Sequence, residues 1–187
     1  MRFKSYIEIN EKMATITDFA SRFSEFKHKG QIRKFSGEPY FEHPKRVAEI
    51  VKKFKKSHKL DDLIAAAFTH DTLEDTNTTY KDLTTLFGGL VASLVQELTS
   101  DKKEIEKIGK TSYLINKMEN MSNWALVIKL ADRLDNVSDL KTSSKKFRDK
   151  MIKSTKEIIR ILKNHRKLTP TQQKLTDAIE NKIKEAE

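Results

Sequence analysis

The feature that most restricts this chain is the spacing of its apolar residues, which recur at intervals of three and four and nowhere alternate convincingly at two. Phe19, Phe23 and Phe26 repeat in this way between about Ile16 and Lys27. Val47, Ile50, Val51 and Phe54 share one face of a helix expected to start near Pro44, where a first-turn proline is tolerated. Asp61 or Asp62 is expected to cap a segment from Leu63 to about Leu73, whose Ile64-Ala-Ala-Ala-Phe68 run is apolar on most sides. Thr79, three residues before Asp82, opens a short helix that Gly88-Gly89 closes. Leu90 to Leu98 and Lys103 to Met118 follow as two more helices, and Asn123 begins one whose Ala125-Leu126-Val127-Ile128 stretch is apolar all round. Ile152, Ile158, Ile159 and Leu162 mark a basic amphipathic helix, and Thr169-Pro170 opens the last. Hairpin signals and internal repeats are absent, so the expectation is an all-α fold.

Composition then removes whole classes of chemistry. With no cysteine there is no disulfide scaffold, thiolate nucleophile or Cys-based metal site, so His and carboxylates are the remaining metal ligands. No apolar run approaches the roughly 18 residues of a membrane span. Met1–Asn10 lacks the apolar centre of a signal peptide. A soluble cytoplasmic protein is expected. The net charge of +10 suggests an anionic partner. Its distribution is uneven: Met1–Leu140 holds 23 basic and 21 acidic residues, whereas Lys141–Glu187 holds 14 and 6. Residues 1–140 are therefore read as a nearly neutral domain and 141–187 as a basic helical extension packed on or next to it.

Polar residues interrupt the most apolar helices at three places. In Phe68-Thr69-His70-Asp71-Thr72-Leu73-Glu74-Asp75, four titratable groups follow the apolar run, and helical spacing lets His70, Asp71, Glu74 and Asp75 border one patch. Clustering carboxylates beside apolar surface is costly unless a positive charge compensates, and a divalent cation is one such compensator. An exposed helix end whose acids meet nearby bases is the plain alternative. Gly37-Glu-Pro-Tyr-Phe-Glu-His43-Pro44 presents His43 at a helix start, as a ligand or as a capping residue. Asp132 ends a run in which only Lys129 is polar, with Asn136 four residues on, and could instead pair with Arg133 or Lys129. Two His and two Asp from three helices nevertheless make a four-ligand set for a metal that prefers mixed N/O donors.

These residues resemble the H…HD…D pattern of the HD phosphohydrolase superfamily: His43, then His70-Asp71, then Asp132. Gln31-Ile-Arg-Lys34, Gly37 to Pro44, His70 to Asp75 and Lys129-Leu-Ala-Asp-Arg-Leu-Asp-Asn136 are similar to one branch, the RelA/SpoT-type guanosine polyphosphate 3′-pyrophosphohydrolases. The resemblance runs from about Asp18 to Leu140.

It implies a helical HD fold that binds one divalent metal, usually manganese, and removes pyrophosphate from the 3′ position of (p)ppGpp. His43, His70, Asp71 and Asp132 would ligate the metal. Glu74 and Asp75 would orient and deprotonate the attacking water. Arg33, Lys34 and Lys129 would face the phosphates and guanine, and Asn136 the ribose. Too little chain follows the HD region for a synthetase half, so a small stand-alone hydrolase is expected, with an oligomer left open. Four positions depart from the usual pattern: Phe68 and Thr69 replace two aliphatics, Asp135 stands where His or Tyr is common, and Ser138 stands where many members carry Arg. The last two leave room for another nucleotide substrate. The remaining alternative is a non-enzymatic basic helical module that binds RNA or an acidic protein. Neither a membrane nor nucleic acid is the expected partner. His28, His58, His165, Trp124 and Phe147 are read as structural or solvated.

Overall fold

The structure, a computed structural model, describes residues 15–187, so the reading of Met1–Asn10 lies outside the described residues. Among the described residues ten α-helices follow one another: α1 (Ile16–Lys27), α2 (Glu42–Phe54), α3 (Leu60–Thr69), α4 (Thr72–Asp75), α5 (Tyr80–Leu98), α6 (Lys102–Ile108), α7 (Lys110–Asn120), α8 (Asn123–Ser138), α9 (Lys145–His165) and α10 (Pro170–Ala186). A 3₁₀ turn, Leu140–Thr142, precedes α9. Among the described residues the only pairing of extended chain is an isolated antiparallel bridge between Ile32 and Pro39, which pinches the loop between α1 and α2.

Capping chemistry sets several helix starts. Thr15 with Asp18, Thr79 with Asp82 and Thr169 with Gln172 form reciprocal capping boxes, each satisfying two backbone donors that the helix leaves unpaired. Two expected boundaries move. Lys59, not an aspartate, occupies the cap position of α3, and Asp61 and Asp62 lie in its first turn, where negative charge suits the helix dipole. The segment from Lys103 to Met118 is two helices, because Gly109 adopts φ 82°, a conformation a helix cannot contain. Gly88, at φ 84°, kinks α5, so the two helices expected on either side of it meet end to end.

Helix α3 is the centre. Leu63, Ala65, Ala66 and Ala67 are fully buried, and α1, α2, α5 and α8 surround the helix. The small alanines let these neighbours approach closely. Helix α8 is the second axis, packed on α2, α5 and α10, with Ala125, Leu126, Ile128, Leu130 and Ala131 inaccessible. The basic C-terminal helices join the same core. Ile152, Ile158, Ile159 and Leu162 of α9 and Leu175, Ile179 and Ile183 of α10 are buried in one continuous cluster with the residues of α1–α8. No described helix is long and apolar enough to cross a membrane. The C-terminus of α3, the N-terminus of α2 and the second half of α8 converge, and all the polar interruptions noted in the sequence lie there.

Candidate active site

Helix α3 stops at Thr69 rather than near Leu73 because side chains take its last carbonyls. The Thr69 hydroxyl donates to Ala65 O at 2.8 Å, His70 Nδ1 to Ala67 O at 2.8 Å and the Thr72 hydroxyl to Thr69 O at 2.7 Å. The chain turns at His70-Asp71 and resumes as the single turn α4. Phe68 and Thr69, the departure from two aliphatics, are both accommodated: Thr69 through that hydrogen bond, Phe68 by stacking on Phe41 with ring centroids 6.3 Å apart.

His43, His70 and Asp132 are buried, and a donor atom from each lies within 4.8 Å of the others. Asp71 Oδ2 borders this group, 3.0 Å from His70 Nε2 and 3.6 Å from His43 Nε2, and Asp132 Oδ1 is 3.3 Å from His43 Nε2. A carbonyl only accepts, so His70 Nδ1 carries a proton, and it is Nε2 that is left to act as a metal donor. That Nε2 is buried with no hydrogen-bond partner. His43 Nδ1 is likewise committed, 2.7 Å from Asp135 Oδ2. Two imidazole Nε2 atoms thus share a small volume with two carboxylates, a donor set that suits a divalent metal with mixed N/O ligands.

The electrostatics carry the same requirement. Burial by itself would lower the pKa of His43, but hydrogen bonds to Asp132 and Asp135 and the nearby carboxylate charges outweigh it and raise it to about 9. Burial works against the charged form of Asp71, yet His70 and His43 hold it well below the usual carboxylate range. Asp132 is also held low against burial, first by Lys129 and then by His43. The carboxylates demand positive charge where the Nε2 atoms meet.

The expected site residues divide into two sets. His43, His70, Asp71 and Asp132 come together as described. Lys129, expected among the substrate residues, lies beside them with its Nζ 2.9 Å from Asp132 Oδ2, and so is a pairing partner of that carboxylate. At the rim, Glu74 accepts a hydrogen bond from Ser100 N at 3.0 Å, so one of its oxygens is committed to the backbone. Asp75 is raised by partial burial of its carboxyl and by the charges of Asp71 and Glu74.

Arg33, Lys34 and Asn136 line a separate cleft of about 220 Å³, together with Phe35, Tyr40, Asp139, Phe147 and Met151. Asn136 joins the two halves: its Nδ2 donates to Asp132 Oδ1, and its Oδ1 accepts from Arg33 at 3.4 Å. Arg33 also pairs with Asp139 at 3.0 Å.

Several residues that sequence reasoning leaves without a role belong here. The Tyr40 hydroxyl donates to Asp71 Oδ2 at 2.7 Å and lies 3.3 Å from Asp75 Oδ2. Burial and the adjacent Asp71 push its pKa up, so it stays a donor. Buried His28 packs on Tyr40, ring centroids 4.8 Å apart. Phe147, expected only to pack, rests on Phe35 at 4.5 Å and lines the cleft. Arg133 is buried, with Met151 Sδ 3.0 Å from Nη1. Tyr40 lies inside the Gly37 to Pro44 motif and is readable in principle, whereas Phe147 and Met151 lie far along the chain with no local signal.

The sequence pattern of the HD domain matches residues 20–168. The chain belongs to the HD-domain family. That match continues past Leu140 and takes in α9. Among curated relatives, the guanosine-3′,5′-bis(diphosphate) 3′-pyrophosphohydrolase of Aquifex aeolicus is 40% identical over 148 residues, 74% of this chain but only 20% of that protein. The guanosine-3′,5′-bis(diphosphate) 3′-pyrophosphohydrolase MESH1 of Danio rerio is 38% identical over 123 residues, 63% of this chain and 65% of that one. This HD-domain chain thus spans a fifth of the Aquifex protein's length and about two thirds of the zebrafish protein's. The solved structure of a metazoan ortholog of SpoT that hydrolyzes ppGpp superposes with a TM-score of 0.74 at 28% identity, covering 92% of this chain and 98% of that one. The all-α HD fold and the resemblance to small stand-alone ppGpp pyrophosphohydrolases are borne out.

Proposed function

We propose that this protein is a metal-dependent hydrolase that removes the 3′-pyrophosphate of guanosine polyphosphates, (p)ppGpp. The carrying observation is the joint at Asn136, which binds Asp132 of the buried His43–His70–Asp132 group with one side-chain atom and Arg33 of the cleft with another. In this reading the group that would activate water adjoins, through Asn136, the cleft that would take a phosphorylated nucleotide. The relatives named above support the substrate class.

In this reading His43, His70, Asp71 and Asp132 hold one divalent metal through two imidazoles and two carboxylates, and manganese is the metal that the resemblance implies. When bound, such a cation lowers the pKa of water and offsets phosphoryl charge. The protein does the rest. Asp75, whose raised pKa improves it as a proton acceptor, takes the proton from the attacking water, and Glu74, anchored on Ser100, orients it. Tyr40 holds the shared oxygen of Asp71 in place. Lys129 balances Asp132. Arg33, kept in the cleft by Asp139, presents a planar guanidinium to phosphate or purine, and Lys34 adds charge at the mouth. The same reading puts the enzyme in the cytoplasm, where a soluble nucleotide of this kind would be met.

Neither of the two departures that left the substrate open is among the residues that line the cleft. Ser138 donates to Leu134 O at 2.8 Å, and Asp135 faces His43 and Arg46. Incubation of the purified protein with Mn2+ and ppGpp should yield GDP and pyrophosphate. Turnover of other nucleotides but not of ppGpp would instead make it an HD nucleotidase of different specificity. RNA binding without any turnover would favour the non-enzymatic reading.

A further inference from the structure

We infer that Asp135 is a positioning residue for the metal centre: it holds His43 with the proton on Nδ1, leaving Nε2 free to face the cation, and Arg46 holds Asp135 in turn. This rests on the reading of His43, His70, Asp71 and Asp132 as metal ligands, and adds a residue outside that set.

A neutral imidazole has one N–H, and the partner of one ring nitrogen decides which nitrogen remains a donor to metal. For His70 that partner is the Ala67 carbonyl, supplied by the helix backbone. His43 sits in the first turn of α2 and takes its partner from a side chain on α8, Asp135 Oδ2 at 2.7 Å. A carboxylate only accepts, so the proton in this contact belongs to Nδ1. Asp132 and Asp135, three residues apart on α8, grip the ring from its two nitrogens: Asp132 Oδ1 lies 3.3 Å from Nε2 while Asp135 occupies Nδ1. One helix therefore supplies both a ligand and the group that aims a second ligand.

Asp135 is itself fixed. It is 3% exposed, and a carboxylate so buried needs compensation. Arg46 provides it, with Nε 2.6 Å from Asp135 Oδ1 while Nη2 lies 2.8 Å from Glu38. Arg33 approaches the other oxygen at 4.0 Å. Here a charged acceptor has been installed together with a guanidinium to neutralise it. Without Asp135, the ring could flip or take the other tautomer, turning a protonated nitrogen toward the cation.

Calorimetric titration with Mn2+ alone tests this without recourse to catalysis. Asp135→Ala should bind Mn2+ about 10–100-fold more weakly than wild type. Asp135→Asn, whose amide oxygen still accepts from Nδ1, should fall between them. A folded Asp135→Ala protein, checked by circular dichroism, whose Kd stays within about twofold of wild type overturns the proposal. Histidine-labelled 15N NMR of the wild type loaded with diamagnetic Zn2+ gives a second reading that needs no variant. Protonation of His43 at Nδ1 supports the assignment, and protonation at Nε2 overturns it even if Asp135→Ala fails to fold. Wild-type protein that takes up neither metal overturns the metal reading and this role together, whereas metal uptake without ppGpp turnover counts against the substrate assignment only.

Discussion

The two halves of the proposed active site, one for metal and one for nucleotide, are built on different terms. In the metal half, nearly every group is buried and held by at least one partner: His70 by Ala67, His43 by Asp135, Asp71 by Tyr40, Asp132 by Lys129 and Asn136. The nucleotide half is a shallow cleft whose cations, Arg33 and Lys34, come from a loop and whose apolar wall, Phe147 and Met151, is lent by α9. The contrast has a physical basis. Burying several charges is tolerable only if each is satisfied, so the metal half admits almost no slack. A cleft open to water can exchange one side chain for another at modest cost. In the proposed reading, chemistry is thereby held rigid while substrate preference stays adjustable.

That comparison can be broken in order of expected effect. His70→Ala and Asp132→Ala should lose bound metal, measured by elemental analysis of the purified protein, and with it all measurable turnover; retention of wild-type metal content would refute the coordination set. Asp75→Asn should keep the metal yet lose about 10²–10⁴-fold in kcat, consistent with removal of a general base. Glu74→Gln should lose less, since its hydrogen bond from Ser100 survives in the amide; steady-state kinetics on both variants would reverse the two roles if Glu74→Gln proved the more damaging.

Changes in the cleft should be gentler and act on KM. Arg33→Lys removes the planar fork that reaches both Asp139 and Asn136, and KM should rise about tenfold with metal content unchanged. Phe147→Ala deletes the contact with Phe35, and KM should rise about 3–10-fold, the equivalent of an aromatic pair. If Phe147→Ala lowered kcat while leaving KM alone, the division into a rigid chemical half and an adjustable binding half would be wrong.

Much of this site is legible in the amino-acid sequence. The ligand set stands out because Asp132 and His70-Asp71 interrupt helices that are otherwise apolar, a pattern that folding alone does not favour. Boundaries near the site are less legible. The stop of α3 at Thr69 depends on three side chains reaching back to carbonyls, and the break at Gly109 depends on a positive φ within an amphipathic run. Asp135 is visible as a departure from its relatives, but its meaning requires Arg46 and His43, which lie about ninety positions earlier in the chain.

By itself, the sequence determined that this chain is helical, where its core faces lie, and which side chains can hold a metal, because periodicity and residue chemistry are local properties. Tertiary structure alone decided how those side chains are aimed. It set Lys129 against Asp132, gave Glu74 to Ser100, set Asp135 behind His43, and brought α9 round to wall the cleft. Each of these depends on helices distant in sequence packing against one core, and hydrogen bonds and ion pairs act only over the few ångströms that such packing creates.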